Sequence, residues 1–249
     1  MLNEINSYYE NYDEEGRLSR DKMHMVEYLT TIRYFDRLFV PGSRILDVCA
    51  GAGRYSFYLA DKGHIVTACD LVEHNVDIIK ANPDADKLAD IVVCNALALS
   101  RFEDSSFDVA LCMGALYHLG KNKQQAVSEC VRVCKPGGIV VLAYITRTGA
   151  VLANINEDAS NMDVLLKIMD DTDESIFFNL WPHEMDDIAE KCGLERMHHV
   201  GTDMIYPVSV KLNDASEESF QKYMAFHHQI CEDPSVLGAS IHGLWIGRK

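Results

Sequence analysis

The chain has 249 residues, 48% of them hydrophobic, with a formal net charge of −15 and a sequence pI of about 5.0. That length and apolar content support one domain with an elaboration and a sizeable core, and the acidic balance repels phosphate backbones, which argues against stable nucleic-acid binding. No apolar run approaches the roughly 20 residues of a membrane span, and the opening Met1-Leu-Asn-Glu-Ile-Asn6 lacks the basic-then-apolar pattern of a signal peptide, so a cytoplasmic protein without membrane association is expected.

In chain order, residues 1–40 precede the sheet, with Asp21–Phe39 read as a helix from Met25, Tyr28, Leu29, Ile32, Phe35 and Leu38 at helical spacing, closed by Pro41-Gly42. From Arg44 onward, short apolar runs alternate with helical segments, the sign of a parallel sheet with crossover helices. The strands are predicted at Ile45–Val48, Ile65–Cys69, Ile91–Cys94, Val109–Met113 and Ile139–Tyr144, and the helices near Tyr55–Lys62, Glu73–Ala81 and Asn122–Cys134. Residues 147–180 read as the least regular part. A helix at Pro182–Cys192 closed by Gly193, a sixth strand at Glu195–Val200, a helix at Glu217–Cys231 and a seventh strand at Ile241–Gly247 complete the reading.

The eight cysteines read as small core residues of a reducing compartment rather than a disulfide framework, since the first four sit at strand ends and Cys130 and Cys134 share a helix face. No CxxC occurs, and the side chains of the adjacent pairs His198-His199 and His227-His228 diverge in helix or strand, so no metal site is expected.

The most telling stretch is the strand, glycine turn and helix at Arg44–Ala60, with Asp47 ending the strand and Gly51 and Gly53 in the turn. A bare backbone there lets the chain approach a nucleotide-like ligand. The third glycine of the dinucleotide fingerprint is replaced by Ser56, and no Gly-Lys-Ser/Thr follows the turn, so neither a pyrophosphate nor a triphosphate grip is indicated. Asp70 ends the second apolar run about 20 residues beyond the turn, where such sheets place a carboxylate for ribose hydroxyls; its plain alternative is to cap the next helix.

Four motifs in series, Ile45–Gly53, Ala68-Cys-Asp70, Phe107–Leu119 and Val131–Gly138, resemble those of the class I S-adenosylmethionine-dependent methyltransferases over about residues 40–145. The resemblance implies a doubly wound, mostly parallel, seven-stranded Rossmann-like α/β sheet with an antiparallel last strand. It places an N-terminal helical segment, residues 1–40, over the cofactor site, and cap insertions around 147–180 and 203–239 within a 41–249 methyltransferase domain. It implies S-adenosylmethionine as cofactor, S-adenosylhomocysteine as product, and a small-molecule substrate methylated on oxygen or nitrogen by in-line displacement.

The cofactor roles the resemblance implies are these. Asp47 reaches the methionine amino group; Cys49, which stands where the family has glycine and is read as a small apolar filler, and Ala50, Gly51 and Gly53 approach the methionine portion. Asp70 holds the ribose, Leu71 lies on the adenine, and Asn95, Ala96 and Leu97 meet its edge. Met113 and Gly114 lie beneath the cofactor, followed by Tyr117 and His118. Tyr9, like Tyr8, offers a ring to the sulfonium, and Arg17 or Arg20 a cation to the cofactor carboxylate.

The candidates for catalysis are His118, Tyr117 and His183, each also explicable as a packed side chain. Phe177, Phe178, Trp181 and His183 either line a substrate pocket or anchor a loop, and the acids of Asp170–Glu174 either draw an amine or form a solvated face. A cofactor-binding sensor or partner protein without catalysis remains open. A nicotinamide-dependent oxidoreductase is disfavoured by Ser56, and base methylation by the absence of an Asn/Asp-Pro-Pro-aromatic motif at Cys112–Ala115.

Overall fold

The computed structural model describes residues 16–157, 160, 163, 165, 168–169, 177–203 and 210–249. Seven strands form one sheet: β1 Arg44–Asp47, β2 Ile65–Asp70, β3 Asp90–Val93, β4 Phe107–Cys112, β5 Cys134–Ile145, β6 Glu195–Gly201 and β7 His242–Arg248, in the order β3-β2-β1-β4-β5-β7-β6. The first five are mutually parallel, and β7 runs antiparallel to both β5 and β6. This is the doubly wound sheet that the alternating apolar runs predict.

Side chains alternate between two buried layers. Ile45, Val109, Leu111, Val141, Leu244 and Ile246 face one side, with α1 (Lys22–Leu38), α2 (Arg54–Asp61) and α3 (Glu73–Ala81). Leu46, Ala110, Cys112, Val140, Leu142 and Trp245 face the other, with α4 (Lys123–Val133) and α6 (Pro182–Lys191). Period-2 alternation in strands that are buried on both faces produces continuous apolar runs, which is why the strands were legible as runs. Asp21 caps α1 by accepting from the His24 backbone N–H at 3.0 Å. Two further helices, α7 (Glu217–Ile230) and α8 (Pro234–Ala239), lie between β6 and β7, and α7 packs its Phe220 and Met224 on Val26 of α1.

Three readings need correction. An 11-residue helix, α5 (Arg147–Glu157), opens the stretch expected to be irregular. Thr146 supplies the cap, its Oγ1 accepting from the Gly149 N–H at 2.9 Å. Gly149 in the first turn disguised this helix, and the glycine is needed because a Cβ there would run into the backbone at Ser240 and Ile241. The second correction is β5, which begins at Cys134, so that Pro136-Gly137-Gly138 lie inside the strand at a register shift against β4. Third, Cys69 and Cys94 form a disulfide with a Cα–Cα separation of 5.7 Å. Parallel pairing of β2 with β3 sets Cys69 opposite Val92, two residues before Cys94, and so brings together two thiols 25 residues apart in sequence. The other six cysteines are free, as expected for core residues. No helix among the described residues is long and apolar enough to cross a membrane, and no cluster of metal-ligating side chains occurs among them.

Candidate functional site: a cleft at the carboxyl edges of β1, β2 and β4

Open parallel sheets leave a crevice where the strand order reverses, outside the strand carboxyl ends. Here the reversal falls between β1 and β4, and a cleft of about 930 Å3, including its open mouth, lies there.

The glycine turn forms its floor. Gly51 adopts φ 53° and Gly53 φ 84°, left-handed conformations that glycine takes without strain. Two bonds tie the turn to β2: the Ala50 N–H donates to the Cys69 carbonyl at 2.9 Å, and the Gly51 N–H to Asp70 Oδ2 at 2.9 Å. Gly53 starts α2 rather than lining the cleft, and a Cβ on it would stand 2.9 Å from Phe57 Cε2. Cys49, Ala50 and Gly51 are in the wall.

Asp47 ends β1 behind this floor, 1% exposed, and is not itself in the wall. Its Oδ2 accepts from Ser56 Oγ at 2.7 Å, while its Oδ1 is buried without a partner. Burial pushes its carboxyl up to about 7; the Ser56 bond opposes this, and the charge of Asp70 adds to it. A buried carboxylate oxygen lacking a donor calls for a cationic or N–H group. Ser56, which removes the dinucleotide fingerprint, thus has a positive task of holding Asp47.

Asp70 ends β2 in the wall. Its Oδ1 accepts from the Val72 N–H at 2.9 Å and from Asn75 Nδ2 at 3.2 Å. It therefore does engage the start of the next helix, as the plain alternative had it, and also faces the cleft. Burial raises its carboxyl, with the backbone donors of Val72 and Gly51 working the other way. Leu71 and Val72 follow it along the wall, with Cys94, Asn95 and Ala96 opposite. Asn95 accepts the Leu97 N–H at 2.9 Å, which leaves its amide as donor; Leu97 packs on the core and is outside the wall.

Met113, Gly114 and Ala115 continue β4 into the cleft. A Cβ on Gly114 would meet nothing nearer than Tyr117 Oη at 3.5 Å, an ordinary contact, so the bare backbone there serves the open space and not the packing of the chain. Cys49, beside it in the wall, is pushed well above the usual thiol range by its hydrogen bond with Cys112 and by burial.

Tyr117 and His118 stand on a short 3-10 turn, Leu116–His118, and both line the cleft. The His118 ring is 4.6 Å from that of Tyr117 and 5.0 Å from that of Phe177, and the residue is 6% exposed. The aromatic cluster expected to anchor a loop or line a pocket thus divides. Phe177 joins the Tyr117–His118 group, and Phe178 bonds the Tyr117 carbonyl through its N–H at 2.6 Å. His183 is exposed on the first turn of α6, away from the wall.

From the N-terminal side, Arg17 and Leu18 close the wall, with Tyr55 behind them. Arg20 is exposed and pairs with His24 instead. The Tyr55 hydroxyl is buried without a partner, and burial raises it. Tyr55 and Asn75 were not foreseen as wall residues; at helical spacing they read as ordinary helix positions, and only the fold turns them inward. Tyr8, Tyr9 and the acidic run Asp170–Glu174 lie outside the described residues.

A family profile described as a methyltransferase domain matches residues 46–142. The ubiquinone biosynthesis O-methyltransferase of Coxiella burnetii is 29% identical over 117 residues, 47% of this chain and 50% of that protein. The match supports the resemblance to the class I S-adenosylmethionine-dependent methyltransferases over this part of the chain. The chain spans about half the length of the curated methyltransferases it matches. A putative methyltransferase of Haloferax volcanii, solved in complex with the Trm112 methyltransferase activator, shares the fold at a TM-score of 0.65 and 18% identity, over 98% of this chain and 97% of that one. An S-adenosylmethionine-dependent methyltransferase from Methanosarcina mazei does so at 0.59 and 19%, over 86% and 96%. The resemblance implies S-adenosylmethionine as cofactor, and the residues in and behind the cleft fit it in kind: an acid for a diol, an arginine for a carboxylate and bare backbone in the wall, and behind the floor an orphaned carboxylate oxygen for an ammonium.

Proposed function

We propose that this chain transfers a methyl group from S-adenosylmethionine to an oxygen or nitrogen atom of a small molecule. The observation that carries the reading is the pairing of Asp70 with the turn: one carboxylate in the wall accepts the Gly51 N–H at 2.9 Å and still faces the cleft. Asp70 takes the two ribose hydroxyls, since an ionised carboxylate accepts on both oxygens. Asp47 takes the ammonium through its unpartnered Oδ1, directly or through water. Arg17 meets the carboxylate, Leu71 covers the adenine, and the Asn95 amide with Ala96 meets the adenine edge.

Bound in this way, S-adenosylmethionine supplies a methyl group made electrophilic by the sulfonium, which an acceptor atom takes by in-line displacement while the sulfur leaves with the bond's electron pair. The chain's contribution is alignment, which is worth most in such reactions. Tyr117, His118 and Phe177 sit on the acceptor side. His118 holds or moves the acceptor's proton, its ring fixed by the two aromatic neighbours. The net charge of −15 suits a small or cationic acceptor better than a nucleic acid.

The test is methyl transfer from radiolabelled S-adenosylmethionine into a fractionated metabolite extract. Label in a small-molecule fraction, lost in the Asp70→Ala variant, is expected. Label found only in RNA or protein would refute the substrate class; tight cofactor binding with no acceptor in any fraction would favour a sensor.

A further inference from the structure

Away from the glycine turn, a chain of charged side chains connects the two ends of the sequence. Arg17 gives its fork to Glu27 of α1, with Nη1 to Oε2 at 2.9 Å and Nη2 to Oε1 at 3.1 Å. Glu27 Oε2 lies 3.5 Å from Nδ1 of His242, the first residue of β7. The same nitrogen is 2.7 Å from Asp203 Oδ2, just beyond β6. Asp203 is itself fixed, because its Oδ1 accepts the backbone N–H groups of Ile241 and His242 at 2.9 and 3.1 Å, together with Ser240 Oγ. All four charged side chains are largely buried, from 8% exposed at Asp203 to 27% at His242. The order is directional. Backbone holds Asp203, Asp203 holds the imidazole, the imidazole faces Glu27, and Glu27 orients a guanidinium that lines the cleft.

We propose that His242 and Asp203 are positioning residues for cofactor binding: acting through Glu27, they set the place of the Arg17 guanidinium in the cleft wall. This rests on reading the cleft as the S-adenosylmethionine site. Neither residue touches the cleft wall, and nothing in the sequence around His242 suggests the role, since its partners come from residues 17, 27 and 203.

A charged imidazole between two carboxylates makes the chain neutral as a set, with Arg17 and His242 against Glu27 and Asp203. The groups that face His242 are Glu27 from α1, Arg17 from the turn before it and Asp203 from the loop after β6. His24 and Tyr55 share the field of Glu27, and Tyr223 and His227 of α7 that of Asp203. Burial opposes the charged imidazole, but Glu27 and Asp203 outweigh it and hold its proton above the usual imidazole range. Burial likewise acts to raise Glu27, and Arg17 and then His242 overcome it, bringing the carboxyl down to about 2. The sign follows. Below the raised value His242 is charged and Arg17 held; as pH rises through it the imidazole neutralises, two carboxylates face each other, and the hold on Arg17 loosens.

The experiment is calorimetric titration of the full chain with S-adenosylhomocysteine between about pH 6 and about pH 9, a range that spans imidazole titration. In the wild-type chain, affinity should decline towards the alkaline end once Asp47 has ionised. His242→Gln, which keeps a donor for Asp203 but carries no charge, should bind about 2- to 30-fold more weakly near neutrality, the range for substitutions along a coupled network, and should lack the alkaline decline. Glu27→Gln provides a second route to the same outcome that leaves β7 untouched. Asp47 titrates near neutrality as well, so each variant is compared with wild type at the same pH. In an Arg17→Ala background the His242 substitution should add nothing. Parallel pH profiles, or additive losses in the double variant, overturn the proposal alone. Failure of the wild-type chain to bind at any pH overturns the cofactor reading and the proposal with it.

Discussion

Asp70→Ala tests the cleft most directly. In the proposed complex the carboxylate accepts two ribose hydroxyls, and hydrogen bonds to a charged group contribute about 1.5–3 kcal/mol each. Taking the lower figure for both gives about 3 kcal/mol, which at about 1.4 kcal/mol per decade is a loss of affinity of about 150-fold. The carboxylate also accepts from the Gly51 and Val72 backbone and from Asn75, at 2.9, 2.9 and 3.2 Å. Water entering the open cleft can serve those donors, so the cost in stability is about 1–2 kcal/mol, a fall of roughly 2–8 °C in Tm for a chain of this size. The assay is titration with S-adenosylhomocysteine at about pH 8, on the alkaline side because burial raises this carboxyl, with a thermal melt alongside. Asp70→Asn retains the shape and one acceptor and should fall between wild type and alanine. A well-folded alanine variant that binds as tightly as wild type would refute the ribose assignment.

Asp47, raised to about 7 by burial, should lose its proton when an ammonium meets its bare oxygen, so that cofactor binding releases about half a proton at pH 7. Calorimetry in buffers of different ionisation enthalpy measures this, and Ser56→Ala, by removing the 2.7 Å bond, should move the release to higher pH. Gly53→Ala should cost more than Gly63→Ala, although both have φ near 84–85°, because only the first puts a Cβ 2.9 Å from Phe57. The expected difference is about 1–3 kcal/mol by denaturant melt, and equal losses would remove the steric argument. Titration of the unfolded, unreduced chain should find six thiols, and eight after reduction; eight at the outset would remove the Cys69–Cys94 bond.

What the sequence disclosed followed from local rules. Apolar runs gave the strands of the sheet interior to within a residue or two except the start of β5, because strands buried on both faces leave no polar alternation to confuse them, whereas the edge strand β6, Glu195–Gly201, is largely polar and exposed at its start. The glycine turn and Asp70 were legible because each sits at a fixed offset from a strand end. What escaped notice depends on contacts between distant segments. Tyr55 and Asn75 turn inward only once α2 and α3 are laid on the sheet. Cys69 finds Cys94 only through the register of β2 and β3. Arg17 and Arg20 look alike as sequence, and the choice of Arg17 for the wall depends on Glu27, ten residues on, which takes its fork. Helix α5 was hidden by Gly149, a residue that opposes helix and is present because the backbone of Ser240 and Ile241, just before β7, passes close by.

The position of β7 between β5 and β6 has a consequence for how the chain is made. When β6 leaves the ribosome its neighbour in the sheet does not yet exist, and 40 residues separate the end of β6 from the start of β7. Until then Val200 and the backbone of β6 have nothing to pair with, and the far end of the β5 edge is open as well. The sheet is finished by threading the later strand into a gap between two earlier ones. A nascent polypeptide halted within that interval would present two raw sheet margins at once, which makes this the stage at which a chaperone or an aggregating neighbour would most readily take hold.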